Sequence, residues 1–394
     1  EGNIILNGIE GETRKYNGKD YTYYGIANCV ITKNDDGTMV YEFTLRDDIY
    51  FSDGVNLTAD DVIFSMYVYA DPTFDGGSTF YAQPIVGMKE YRSGVSALSA
   101  ILLADGPDKT SEFYTAEQAE YYWNAFNTAG LKFATGILDD IIAAYGEAYG
   151  VSDYAGAAAL WGYEVTTAEE FWAAMIEKYG YNLSAEDGID YEAFNESIVD
   201  LINAELGDRA NEYAAGVVVG DSAPNISGIE KTGMYSLKIT MSEFDAVSIY
   251  QLGVTVAPLH YYGSRDAFKY SENKFGFTKG DLSGIREKTT KPLGAGPYKY
   301  VSYENNILSY EANETYFLGA PKIKYFKLQG VSTADKLTGM TTDLFDVTVP
   351  NFNDDDITAI KGHNPNGELV GEKLTTVTTD FLGYGYIGIN ADNV

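Results

Sequence analysis

The sequence predicts an α/β fold with mixed α+β sheets, on three observations. Period-two alternation of apolar residues marks residues 1–50 and returns from residue 226. Between them, from about 96 to 222, apolar residues recur at helical spacing, and Ala, Glu, Tyr and Trp are frequent. Strands and helices do not alternate one for one, as a regular βαβ chain would require.

The elements follow in order. Val30–Lys33 and Met39–Leu45 flank Asn34-Asp35-Asp36-Gly37, and Asp-Gly between alternating runs predicts a hairpin. Tyr41, Phe43 and Leu45 share one strand face, with Glu42 and Thr44 on the other. Thr58 is placed to cap a helix beginning at Ala59. Asp60 and Asp61 suit its positive end, and Asp71-Pro72 stops it. Thr115 opens a helix expected to run to about Ala129. Thr167 opens another, with Phe171, Trp172, Met175 and Ile176 on one face, and Tyr191 to Leu206 reads as a third. Tyr235–Met241 is a strand, and Phe244–Leu252 a short helix. A strand follows Gly294, with Asn305-Asn306 as a hairpin turn. The tail from 331 mixes strands and short helices.

The 394 residues allow two to three domains at about 150 residues each. There are 58 acidic and 27 basic side chains, a net charge of −31, which excludes a phosphate-binding footprint and disfavours an anionic membrane surface. With 34 Tyr and 19 Phe, this is no disordered acidic tail. One cysteine, Cys29, rules out an intrachain disulfide framework, and two distant histidines, His260 and His363, argue against a histidine-rich metal centre. No apolar run reaches the roughly 18–20 residues of a spanning helix. The opening EGNIILNG reads as a processed or engineered start.

Motifs for chemistry are sparse. Gly294-Ala295-Gly296 leads into Pro297, which removes an amide that a phosphate would need. There is no GxSxG, HExxH or P-loop. Asp354–Asp356 lacks the spaced ligands of a calcium loop and reads as a helix start before Ile357. His260 reads as a packed histidine, and Cys29 as a small buried hydrophobe. Carboxylates are too abundant for a hydrolase pair to stand out. The aromatic content suits a core, a ligand cleft, or both.

Four segments, in order, resemble family 5 extracellular solute-binding proteins, the oligopeptide- and dipeptide-binding components of ABC importers. They are Tyr41–Val62 with its FSDG and LTADDV runs; Ile226–Met241 followed by Pro258-Leu259-His260; Gly294-Ala295-Gly296-Pro297-Tyr298 with Glu311–Ile323; and, more loosely, Ala334–Val347 with Tyr386–Asn390. Within the first and third, Thr58, the Asp53-Gly54 turn and the small residues 294–296 read as scaffold. The chain departs from the family pattern in three ways. The stretch between Gly94 and Ile226 is longer than usual, which makes the helical block an insertion. The N-terminal section is shorter, and the sequence stops where the second lobe normally continues, so a fragment truncated at both ends is expected.

The resemblance implies a type II periplasmic-binding-protein-like fold of two lobes closing on a ligand. Its division here is 1–95 with 226–245 as a β-rich subdomain, 96–225 as the helical insertion, 246–330 as the main first lobe, and 331–394 as the start of the second. It implies no enzyme, no cofactor and no metal, but an extracytoplasmic monomer, periplasmic or a bacterial cell-surface lipoprotein, that passes peptides to an ABC permease and meets no nucleic acid. The segment after Asp71-Pro72 faces the cleft in such proteins, which nominates Phe80 and Tyr81; Tyr384 and Tyr386 are nominated near the lobe crossover. The alternatives are a same-family binder of sugars or metal complexes, a secreted acidic hydrolase, and an interaction module built on the helical block.

Overall fold

The computed structural model describes residues 8–16, 18–350 and 353–378. The chain divides into two compact units: residues up to Tyr300 with Glu311–Lys324, and Val301–Tyr310 with residues from Tyr325 on.

In the first unit, strands β1 (Glu12–Tyr16) and β2 (Lys19–Tyr23) pair with each other. Strands β3 (Ala27–Lys33) and β4 (Met39–Leu45) form the expected hairpin, with Lys33 opposite Met39 and Gly37 at φ +89° in its turn. Helix α1 (Ala59–Ala70) follows, then α2 (Met88–Arg92). Strand β5 (Val95–Ala97) leads into the helical block. Its helices are α3 (Leu98–Asp105), α4 (Ala116–Tyr149), α5 (Tyr154–Leu160), α6 (Ala168–Tyr179), α7 (Ile198–Leu206) and α8 (Ala210–Ala214). Strand β6 (Gly216–Val218) leaves the block antiparallel to β5, so the two ends of the block meet in one ribbon. Strands β7 (Ile229–Lys231) and β8 (Ser236–Met241) return to the main sheet, whose order is β3-β4-β8-β7, antiparallel throughout.

Period-two patterning sorts that sheet's faces. Tyr41, Phe43, Leu237, Ile239 and Met241 point inward and are buried, and α1 lays Val62, Ile63, Met66 and Tyr67 over them. On the other face Lys238 stands opposite Glu42 and Glu230 and forms a 2.7 Å ion pair with Glu230. The Thr58 amide donates to Asp61 Oδ2 at 2.9 Å, and Asp61 Oδ1 accepts from the Leu259 amide at 3.0 Å. One buried carboxylate thus caps α1 and ties it to the segment 198 residues later. Cys29, half-buried on β3, has its thiol pushed up to about 11 by burial, which suits the inert role expected of it.

The helical block has its own core, centred on Phe126, Phe133, Leu138, Phe171, Trp172 and Met175. Two expectations fail there. Helix α4 does not stop near Ala129 but runs 34 residues to Tyr149, ended by Gly150 at φ +69°. Gly130 is no terminator: its bare α-carbon lies against the Trp172 indole. The Tyr191–Leu206 helix starts late, at Ile198. Asp190 draws the Ile198 amide (2.8 Å) and the Ser197 hydroxyl (3.0 Å), making Ser197 the N-cap and leaving one 3₁₀ turn upstream.

Glu192, buried beside that turn, accepts from Tyr163 (2.7 Å), Tyr179 (2.5 Å) and Lys178 (2.9 Å). Burial alone would raise its pKa, but these donors outweigh burial and hold it below the usual carboxylate range. The unfolded state therefore takes up this proton first as pH falls. The stability Glu192 contributes is full above the unfolded value of about 4.3 and drains away as pH falls through the lower folded value. At neutral pH the Glu192→Gln variant is expected to be less stable than the parent, with the gap closing below about pH 4. Chemical denaturation at several pH values checks this, and a gap independent of pH would refute it.

Helix α9 (Ser248–Gln251) and α10 (Leu259–Tyr262) follow β8, then the short pair β9 (Phe268–Lys269) and β10 (Lys274–Phe275). The expected Phe244–Leu252 helix is thus confined to one turn. The family-like segments meet as scaffold. The Ser52 amide donates to the Gly294 carbonyl at 2.9 Å, the Arg46 guanidinium lies 5.0 Å from the Phe317 ring centre, and buried Asn313 donates to the Gly296 carbonyl at 2.9 Å. His260 packs on Phe51 and pairs with Asp53 at 2.6 Å. Burial opposes charge on Asp53, yet the bonds from His260 and the Val55 amide hold its carboxyl below the ordinary range.

Strands β11 (Tyr298–Glu304) and β12 (Ile307–Ala312) form the expected hairpin, turned by Asn305 and Asn306 at φ +52° and +60°. In the second unit β13 (Tyr325–Gln329) extends their sheet, and a helix spans Asp354–His363. Asn353 caps that helix through the Asp356 amide at 2.8 Å, which is the role expected of this acidic run in place of a calcium loop.

Candidate groove beside Tyr81

Asp71-Pro72 ends α1, and the chain then makes a single 3₁₀ turn, Phe80–Ala82. Successive residues of such a turn point about 120° apart. Phe80 therefore enters the core and is 0% exposed, while Tyr81 stands out at 37%. Tyr81 forms one wall of an open groove of about 680 Å³, lined by residues 81–90, Arg92, Ser93 and Ser242. Of the nominated residues, Tyr81 lines it and Phe80 packs in the core, while Tyr384 and Tyr386 lie outside the described residues.

Arg92 is the side chain that sequence reasoning missed. Its guanidinium lies 4.4 Å from the Tyr81 ring centre, and its Nη1 donates to the carbonyls of Ala70 (3.1 Å) and Asp71 (2.6 Å). It therefore satisfies the negative end of α1 while presenting a cation to Tyr81. Burial lowers its pKa from the ordinary value, although a guanidinium stays charged. Nothing local signals this role, because its partners sit 21 and 22 residues upstream.

Main-chain hydrogen bonds hold the lining segment in place. Residues 84–86 lie against the end of β8: Val86 donates to the Thr240 carbonyl at 3.0 Å, Ser242 to that of Pro84 at 2.8 Å, and Ile85 bridges Met241. Gly87, at φ +85°, packs so closely on Ser227 that a side chain would strike its amide. Thr79 reaches Gln251 at 3.1 Å and Ser248 reaches Gln83 at 3.1 Å, so α9 braces the turn that carries Tyr81. The arrangement offers an aromatic face and a fixed cation, means of non-covalent recognition. Among the described residues, no three His, Cys, Asp or Glu gather to hold a metal, and no helix is long and apolar enough to cross a membrane.

The family model for bacterial extracellular solute-binding proteins, family 5 (middle), matches residues 25–137 and 168–393, most of the chain. No curated protein matches it. Solved structures similar to it include a lactococcal OppA complexed with an endogenous peptide, at 17% identity and TM-score 0.39, covering 82% of this chain and 35% of that one. NikZ from Campylobacter jejuni, in complex with Ni(L-His), matches at 14% identity and TM-score 0.36, covering 86% and 37%. The oligopeptide-binding AppA from Bacillus subtilis, in complex with a nonapeptide, matches at 14% and 0.34, covering 82% and 34%. The chain thus spans little more than a third of the length of these proteins. At such distances no neighbour's site is carried over to this chain. The family match does not depend on them: on its extent, the chain belongs to the family 5 bacterial extracellular solute-binding proteins.

Proposed function

We propose that the protein is the solute-capturing component of an ABC importer, acting outside the cytoplasmic membrane as a monomer and delivering oligopeptides to a membrane permease. The observation that carries this reading is the family match over most of the chain. Proteins of this family are non-catalytic transporter components, which agrees with a groove equipped for recognition alone. Its volume of about 680 Å³ falls within the usual range of ligand sites, roughly 300–1,000 Å³.

A thermal-shift screen with pools of three- to six-residue peptides, neutral oligosaccharides and nickel–histidine tests it. A ligand at a hundred times its Kd adds about 2.7 kcal/mol, a visible shift. The expected result is a shift with peptides. Tyr81→Ala is expected to weaken peptide binding at least tenfold in calorimetric titration, as losing a central aromatic anchor does. Unchanged affinity in that variant would remove the groove as the site. A shift from saccharide or nickel–histidine that is lost in Tyr81→Ala would overturn the peptide assignment.

A further inference from the structure

On the helical block, a second cavity of about 380 Å³ opens between the outer side of α4 and the loop before α7. Gly136, Asp139 and Asp140 line it from α4, and Phe194, Asn195 and Glu196 from the loop. Phe194 also belongs to an aromatic group at the surface, with ring centres 6.3 Å from Tyr145 and 6.0 Å from Trp161. Tyr149 extends the group, 6.4 Å from Tyr145, and is 67% exposed. Leaving that much aromatic face in water forfeits burial free energy.

From this juxtaposition we infer that the helical block carries a binding site for a neutral saccharide, separate from the groove beside Tyr81. Sugar rings present apolar C–H faces that lie on aromatic rings and hydroxyl edges that need fixed acceptors and donors. Both halves are present. The Phe194 ring supplies a face at the cavity wall, and Tyr145 and Tyr149 continue the aromatic surface beside it. Asp140 is held by Asn195 at 2.7 Å and Asp139 by the Tyr154 hydroxyl at 3.0 Å. One hydrogen bond leaves most of a carboxylate's roughly four acceptor positions free for hydroxyl donors. A net charge of −31, with three carboxylates at this wall, excludes anionic glycans. Lys132 at the same wall, paired with Glu205 at 2.5 Å, works against a purely cationic ligand. The family match omits residues 138–167, which hold Asp139, Asp140, Tyr145, Tyr149, Tyr154 and Trp161. Those two carboxylates and most of the aromatic group therefore lie outside the family's matched pattern, whereas Gly136 and the Phe194–Glu196 loop lie within it.

Titrating the full chain with neutral hexasaccharides of glucose, xylose, mannose, galactose and N-acetylglucosamine tests the inference, with tryptophan fluorescence and calorimetry as readouts. At least one is expected to bind and to perturb Trp161 emission. Tyr149→Ala, which removes an exposed ring, and Gly136→Leu, which fills the cavity from a position with open space around it, are each expected to lower affinity at least tenfold without lowering the thermal midpoint. Tyr81→Ala is expected to leave saccharide binding intact, which keeps this site and the peptide groove distinguishable. No binding up to millimolar concentration would overturn the inference. So would binding indifferent to both block variants, or preference for a lysine-rich peptide that Tyr149→Ala abolishes.

Discussion

Replacing Gly130 with alanine is expected to destabilise the helical block by roughly 2–3 kcal/mol, while Gly136→Ala, six residues along the same helix, stabilises it by about 0.5–1 kcal/mol. Both changes add one methyl and the same gain in helix propensity, about 1 kcal/mol at most. Their surroundings decide the sign. At Gly136 a β-carbon meets nothing within 4 Å. At Gly130 it would land inside the Trp172 indole, a nearly buried ring packed 5.3 Å from Phe126. Either Trp172 leaves its slot or α4 and α6 separate. Expelling a large aromatic costs about 3–5 kcal/mol, overpacking about 1–3, and the propensity gain offsets only part of either. The block supplies its own reporter, since the three tryptophans, Trp123, Trp161 and Trp172, all lie within it. Urea titrations followed by tryptophan emission should place the Gly130→Ala midpoint below the parent and the Gly136→Ala midpoint at or above it. Equal midpoints would show that Trp172 reorients without cost.

Gly130 also shows where sequence reading reaches its end. A glycine in a helical pattern reads as punctuation unless its tertiary neighbour is known, and that neighbour lies 42 residues away in a different helix. Features with local causes were legible: the β3/β4 hairpin from its Asp-Gly turn, the start of α1 from Thr58 and Asp61, and the Asn305-Asn306 turn. The family was legible because its motifs are contiguous runs of scaffold residues. The groove was legible only in part. The nominated pair shares one turn, of which Tyr81 lines the groove and Phe80 enters the core, a split that depends on a three-residue helix whose phase no pattern sets. Arg92 and Ser242 join it only through folding, since the carbonyls Arg92 caps and the strand end beside Ser242 are distant in sequence. The aromatic group at the second cavity was hidden differently: its members are ordinary helix and loop aromatics until α4, α5 and the Phe194 loop converge.

The largest single loss is expected at Asp71, where Asp71→Ala should cost about 3–5 kcal/mol and Asp71→Asn less. The side chain is 0% exposed and accepts three hydrogen bonds: from the Thr73 amide at 2.9 Å, the Thr73 hydroxyl at 2.6 Å and the Gly280 amide at 2.8 Å. Bonds to a charged acceptor contribute about 1.5–3 kcal/mol each in mutational series, and alanine leaves all three donors unpaired in a dry site. Asparagine keeps one oxygen, enough for the Thr73 pair, but turns an NH2 toward an amide that also donates. The consequence travels in two directions. Gly280 accepts from the Gly216 amide at 2.6 Å, so losing Asp71 loosens the ribbon that joins the helical block to the sheet. The Asp71 carbonyl holds Arg92, so the wall of the groove shifts with it. If the groove is the ligand site proposed above, ligand affinity should therefore fall together with stability in Asp71→Ala, whereas Tyr81→Ala lowers affinity alone. Denaturation midpoints and titrations on the two variants separate these outcomes. An Asp71→Ala protein as stable as the parent would mean that water replaces the carboxylate, and that the end of α1, the ribbon and the groove are not held through this one side chain.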